Sequence, residues 1–300
     1  MNTFNQTIPI SFANVTLVIK RDDLIHPIVS GNKFRKLKYN LRQAKAENLG
    51  TLLTFGGAYS NHIAAVAFAG KEHGFKTVGI IRGNELQNGF AQNPTLQFAH
   101  DCGMQFDFVS RDDYRKKLEV DFIEKLTSKW GRFYMIPEGG TNALAVLGCQ
   151  EILQEEDSKF DFVCCCVGTG GTISGLINSA QSHQKILGFP ALKGDFLTEE
   201  ICKFATNDRW ELIGDYIFGG YAKISNELVD FINRFLLETG IPLDPIYTGK
   251  MVFGVFDLIR RDYFPKDSKI LVIHTGGLQG IDGMNIKLQK QNSPILLKNV

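Results

Sequence analysis

Four apolar runs in this chain stop at glycine: TLLTFGG from Thr51, FYMIPEGG from Phe133, FVCCCVGTGG from Phe162 and ILVIHTGG from Ile270. Short apolar runs bounded by Gly or polar residues read as buried strands, here Thr51–Phe55, Thr77–Ile81, Phe133–Ile136, Phe162–Val167 and Ile270–His274. Between them, Asn61–His73, Asn93–Cys102, Val120–Trp130, Asn142–Glu155 and Ser174–Gln181 carry helical patterns. The alternation predicts an α/β fold with mainly parallel strands. A glycine after one strand is ordinary turn punctuation. Four such ends point to a shared ligand, because open α/β sheets bind ligands beyond the carboxyl ends of their strands.

The chain is long enough for one large domain or two with real cores, at 300 residues and 44% hydrophobic content. Its 33 basic and 32 acidic residues leave a net charge of +1, which gives no field to recruit nucleic acid or an anionic membrane. A small-molecule partner is expected. The start, MNTFNQTIPISFANV, lacks a basic segment followed by a long apolar one, and no window reaches the roughly 18 apolar residues of a membrane span. Cys164, Cys165 and Cys166 are consecutive in a strand and so point to alternate faces, while Cys102, Cys149 and Cys202 are scattered. Reduced cysteines, no metal and a cytoplasmic location are the expectation.

Three loops carry chemistry. Gly168-Thr169-Gly170-Gly171-Thr172 joins a strand to a helix, so its N–H groups and the helix start should cradle a phosphate. It matches neither GxxxxGK[ST] nor GxGxxG, since Ile173 stands at the last glycine position, and this disfavours a nucleotide-binding oxidoreductase. In Ser30-Gly31-Asn32-Lys33-Phe34-Arg35-Lys36-Leu37, Lys33 falls at a helix start, where helix polarity, Arg35 and Lys36 disfavour its protonated form. An amine kept partly neutral condenses with an aldehyde. In Gly56-Gly57-Ala58-Tyr59-Ser60-Asn61-His62, Ser60 or Asn61 serves as a helix cap, and His62 is read as packing rather than as a base.

The ordered set SGNKFRKL, GGAYSNH, IPEGGTNALAVLG, GTGGT, DPIYTGK and HTGG resembles the 1-aminocyclopropane-1-carboxylate deaminase and D-cysteine desulfhydrase family of pyridoxal-phosphate enzymes, from about Lys20 to Gly280. The resemblance implies the tryptophan-synthase-β-like fold, fold type II, with two three-layer α/β/α domains and mainly parallel sheets. Residues 1–45 with 146–300 would form the large cofactor-binding domain and 46–145 the small one, with the active site in the cleft between them. It also implies a homodimer and pyridoxal 5'-phosphate as cofactor. By motif, Lys33 would be the Schiff-base lysine, Asn61 the partner of the cofactor's phenolic oxygen, and Lys36 with Gly168, Thr169, Gly170, Gly171 and Thr172 the phosphate site. Ser60 would hold the substrate carboxylate or move a proton, Tyr247 and Tyr221 would be the active-site tyrosines, and Thr275 a further cofactor contact. Tyr59, where the family reads Gln, would place a ring beside the carboxylate region.

Thr248 separates the two activities within the resemblance. The deaminases carry glutamate there, facing the pyridine nitrogen, and the desulfhydrases threonine. A hydroxyl cannot hold that nitrogen protonated, so the ring is a weaker electron sink, better suited to β-elimination of a good leaving group than to opening a cyclopropane. D-cysteine desulfhydrase chemistry is therefore the first expectation, with Lys33 or Tyr247 as the base. The deaminase, a serine/threonine dehydratase and a non-catalytic pyridoxal-phosphate protein remain the alternatives.

Overall fold

A computed structural model describes residues 3–298 apart from Phe12, Lys193 and Asp195. Its larger sheet contains β1 (Asn5–Ile8), β2 (Thr16–Lys20), β7 (Phe162–Val167), β8 (Lys185–Pro190), β9 (Trp210–Leu212) and β10 (Lys269–Ile273) in the order β1-β2-β10-β7-β8-β9. Within it β1 is antiparallel to β2, and the other pairings are parallel. The smaller sheet, with β3 (Thr51–Gly56), β4 (Lys76–Arg82), β5 (Met104–Val109) and β6 (Tyr134–Ile136), is parallel throughout, in the order β5-β4-β3-β6. The helices are α1 (Asn32–Ala46), α2 (Asn61–His73), α3 (Pro94–Asp101), α4 (Arg111–Arg115), α5 (Val120–Trp130), α6 (Ala143–Gln150), α7 (Gly171–Ser179), α8 (Phe196–Cys202), α9 (Asn226–Thr239), α10 (Thr248–Arg260) and α11 (Gly280–Lys290). This is the α/β, mainly parallel plan that the sequence predicts.

Period-two alternation along β7 builds the layers of the larger sheet. Cys164 and Cys166 pack with Leu228 and Ile232 of α9 and Met251 and Val255 of α10, whereas Val163, Cys165 and Val167 pack with Ile173, Leu176 and Ile177 of α7. In the smaller sheet, Leu52 faces Ile63 and Val66 of α2, and Leu53 and Phe55 face Tyr114 and Leu126 of α4 and α5. Each such side chain, fully buried, contributes roughly 1.5–3 kcal/mol of apolar transfer energy. The three consecutive cysteines are thus unpaired core residues on alternating faces, while Cys202 is exposed. Among the described residues no helix is long and apolar enough to cross a membrane.

Some elements begin or end elsewhere than the pattern indicates. The Asn142–Glu155 helix is shorter, since α6 stops at Gln150, and α7 begins at Gly171 rather than Ser174, so the glycine loop enters the helix directly. β8 is masked in the sequence by a central glycine, yet a Cβ at Gly188 would stand 2.5 Å from Ile173 and 2.7 Å from Leu212.

α1 is seated by close backbone approaches. It starts at Gly31, whose φ of 56° favours glycine and whose Cβ would lie 2.0 Å from the Thr275 carbonyl oxygen. Arg35 pairs with the buried Asp22 at 2.7 Å, and a Cβ at Gly148 in α6 would lie 2.0 Å from the Arg35 carbonyl oxygen. Replacing Gly148 with Ala should push α6 off α1 and lower stability by about 1–3 kcal/mol in a urea titration; an unchanged midpoint would show that the helices do not bear on each other there.

Candidate active site

A cleft opens where the carboxyl ends of β3, β6, β7 and β10 meet the start of α1, with a cavity volume of about 60 Å³. Lys33, Lys36, Asn61, Gly168, Thr169, Gly170, Thr172, Tyr247 and Thr275 all line it. Ser60, Gly171, Tyr221 and Thr248 are not among the lining residues.

Lys33 and Lys36 stand one turn apart on α1, and neither has a carboxylate within 4.0 Å among the described residues. Lys36 is buried, and its Nζ donates to Gly139 O (3.1 Å) and Thr141 Oγ1 (3.0 Å), with Thr169 Oγ1 at 3.5 Å. Desolvation lowers its pKa. Desolvation and then the Lys36 charge push the Lys33 amine down to about 7, with Asp244 pulling the other way. Part of the Lys33 population is therefore neutral at neutral pH, the form that attacks an aldehyde.

The glycine loop closes on Lys36. Gly170 turns the chain at φ 82°, and a Cβ at Gly171 would stand 2.8 Å from Thr141 Oγ1 and 3.3 Å from Lys36 Nζ. The first-turn N–H groups of α7 have no acceptor within the helix and carry its positive pole toward the ammonium. Asn32 Nδ2 fixes the turn by donating to Thr172 Oγ1 at 2.9 Å. Two lysine amines and a helix start, with no carboxylate within 4.0 Å of either amine among the described residues, form an arrangement that is costly alone and fits a bound phosphate dianion.

On the opposite wall, Ser60 caps α2 by accepting from Ile63 N at 3.3 Å, which leaves its own proton free to donate. Asn61 Nδ2 reaches Gly277 O at 3.5 Å while its Oδ1 is buried with no partner, so the amide is positioned without being satisfied. Such an orphan fits a missing ligand atom. The Tyr59 ring lies against α11, where a Cβ at Gly283 would meet it at 2.5 Å. Thr54 Oγ1 gives its one proton to Ile136 O (2.9 Å) and so accepts from His62 Nε2 (2.8 Å). Burial, reinforced by Lys33 and Lys36, holds that imidazole neutral well below its usual range, in keeping with a packing residue.

Tyr247 leans over the glycine loop, its Oη 3.4 Å from where a Gly168 Cβ would stand, and meets Tyr221 edge-on with ring centroids 6.2 Å apart. Burial raises both phenols, Tyr247 far above its ordinary value, so its hydroxyl keeps its proton at neutral pH. Thr248 does not face the cavity as the sequence led us to expect. It is fully buried, donates to Asp244 Oδ2 (2.7 Å) and accepts from Asp244 N (2.9 Å), so its hydroxyl is committed. Asp244 also accepts from the backbone N–H groups of Ile246, Tyr247 and Thr248. Thr275, unlike Thr248, lines the cavity, with its hydroxyl 3.1 Å from Cys166 Sγ. Cys166, Asn32 and Asp244 escape notice in the sequence; Cys166 was signalled only by its place at the end of a glycine-terminated strand.

Residues 8–276 match the family model described as pyridoxal-phosphate dependent enzyme. A putative 1-aminocyclopropane-1-carboxylate deaminase of Thermotoga maritima is 32% identical over 91% of this chain and 92% of its own length. A mitochondrial bifunctional D-cysteine desulfhydrase/1-aminocyclopropane-1-carboxylate deaminase of Arabidopsis thaliana is 31% identical over 88% of this chain and 73% of its own. The crystal structure of an ACC deaminase homologue superposes with a TM-score of 0.84 at 29% identity, over 97% of this chain and 94% of that one.

Removing the Lys36 charge should act on both functions of the cleft. In Lys36→Met, affinity for pyridoxal phosphate should fall roughly 10- to 100-fold in a spectroscopic titration. The pH profile of Lys33 condensation with unphosphorylated pyridoxal, which should rise through about 7 and then level, should move to higher pH, because a repelling charge is gone. An unmoved profile would mean that Lys36 does not act on Lys33.

Proposed function

The chain belongs to the pyridoxal-phosphate-dependent enzymes, and on that footing we propose that it removes the β-substituent and the amine from a small amino acid, with D-cysteine preferred to 1-aminocyclopropane-1-carboxylate. D-Cysteine and water would yield pyruvate, sulfide and ammonia. When bound, pyridoxal phosphate supplies an aldehyde for the substrate amine and a ring that withdraws electrons from the α-carbon.

In this reading Lys36, Gly168, Thr169, Gly170, Gly171 and Thr172 would hold the phosphate, Asn61 would meet the phenolic oxygen through its half-satisfied amide, and Lys33 would be the lysine that bonds the aldehyde. Residues 46–145, which contain β3 to β6, act as the small domain over the cleft. Ser60, with its proton free, donates to the substrate carboxylate. Lys33 Nζ would take the α-proton, a role that its value of about 7 suits. Tyr247 is the poorer base because burial holds its hydroxyl protonated, and it serves as a donor toward the departing sulfur.

One observation carries the preference for D-cysteine: no Asp or Glu is among the described residues that line the cavity, and the polar groups toward the ends of β7 and β10 are a thiol and a hydroxyl, Cys166 and Thr275. The buried carboxylate that acts on Lys33, Asp244, is spent on Thr248 and on backbone N–H groups. The ring nitrogen then has no acid to keep it protonated, which weakens the electron sink and favours a substrate whose β-substituent leaves readily. The name of the Arabidopsis relative joins both activities, which agrees with one scaffold serving either.

Purified protein given D-cysteine should release pyruvate and sulfide in equal amounts and yield much less 2-oxobutanoate from 1-aminocyclopropane-1-carboxylate. Lys33→Ala should lower turnover by roughly 10²–10⁴-fold or more. Faster ring opening than sulfide release would reverse the preference, and full activity in the Lys33 variant would remove Lys33 from the mechanism.

A further inference from the structure

The turn between β9 and α9 follows a backbone course that most residues avoid. Phe218 (φ 48°), Gly219 (83°), Gly220 (117°) and Ala222 (52°) are all in the left-handed half of conformational space, and Tyr221 stands between the last two. Glycine takes such angles freely; phenylalanine and alanine do so only when neighbouring structure imposes them. The imposing groups are lysines. Lys250, in the first turn of α10, donates its Nζ to Ile217 O at 3.0 Å and Gly220 O at 2.8 Å. Lys287 of α11 donates to Ala222 O at 2.9 Å. Phe218 adds an edge-on contact with Phe253 of α10, with centroids 5.0 Å apart.

Lys250 is an unusual choice for a strut. Only 2% of its surface is exposed, and no carboxylate lies within 4.0 Å of its ammonium among the described residues. Burying an ammonium is expensive, and carbonyl oxygens repay less of that cost than a carboxylate does. A methionine or leucine would fill the space without the penalty. What the charge adds is a grip on two carbonyls of one turn. Burial lowers the amine to about 8, with Asp244 acting against the shift and Lys287 with it. Lys250 also lies three residues after Tyr247, so a single helix start fixes one tyrosine directly and the other through the turn.

We propose that Lys250, assisted by Lys287, is a positioning residue that keeps the 217–222 turn left-handed and thereby sets Tyr221 against Tyr247 at the mouth of the cleft. Lys250 touches neither cofactor nor substrate, and its effect on the reaction passes through Tyr221. The proposal rests on the reading of Tyr221 as an active-site tyrosine.

The test combines Lys250→Met with Tyr221→Phe in the holoenzyme. Hydrogen exchange followed by mass spectrometry should quicken across 217–223 in Lys250→Met and stay unchanged elsewhere, and cofactor absorbance and affinity should match the parent. With D-cysteine, kcat should fall roughly tenfold in Lys250→Met but change by less than about twofold when the same substitution is made on Tyr221→Phe. Unchanged exchange in the turn, or an equal kcat loss in both backgrounds, would overturn the proposal. Should Lys250→Met fail to fold, Lys287→Ala at an exposed position should quicken exchange at Ala222 and its neighbours; no change there would overturn it as well. Absence of turnover with any amino acid would count against the proposed reaction and leave the exchange result to decide the role of Lys250.

Discussion

α1 begins where it does because Gly31 packs directly on the Thr275 carbonyl, and nothing larger than hydrogen fits between them. That contact ties the helix to the end of β10; the Arg35–Asp22 pair ties it to the segment after β2, and Gly148 brings α6 against its backbone. A helix fixed at three places has no freedom to shift along its axis, so Lys33 and Lys36 enter the cleft at set heights. The rest of the site is arranged around those heights. Thr141 and Gly139 meet Lys36, the glycine loop passes close above it, and Asn61 faces both from α2.

The parts of this arrangement that are legible in the sequence are local. A strand buried on both faces must be a continuous apolar run, so β3, β7 and β10 declare themselves, and a glycine loop that enters a helix can be read as an anion cradle from its residues alone. β8 is hidden because the glycine that weakens its pattern is required by Ile173 and Leu212 on neighbouring elements. β2 is obscured by Lys20, a charge acceptable inside a sheet only because Asp157 meets it at 2.6 Å from a distant segment.

The site shows the same division. Lys33, Lys36 and Asn61 follow from motifs in which neighbours in sequence are neighbours in space. Thr248 has the motif position that suggests a cofactor contact, but the direction of its hydroxyl is decided by Asp244, which needs the proton to complete its own set of donors. Lys250 ends DPIYTGK, and nothing in that motif indicates that it is buried. Its burial is dictated by a turn 30 residues earlier. Residue type and spacing therefore indicate which groups gather in the cleft, and the competition for individual protons decides which of them face it.

The distance of one helical turn between Lys33 and Lys36 also bears on what the protein meets before it acquires its cofactor. An amine that is partly neutral at neutral pH condenses with small aldehydes in general. Chemical selectivity cannot come from Lys33 itself. On the proposed reading it would come from the neighbouring phosphate site around Lys36, which would retain an aldehyde that carries a phosphate at the matching span. If Lys33 and Lys36 act as proposed, one turn of helix thus couples the reactive amine to the group that would choose its aldehyde.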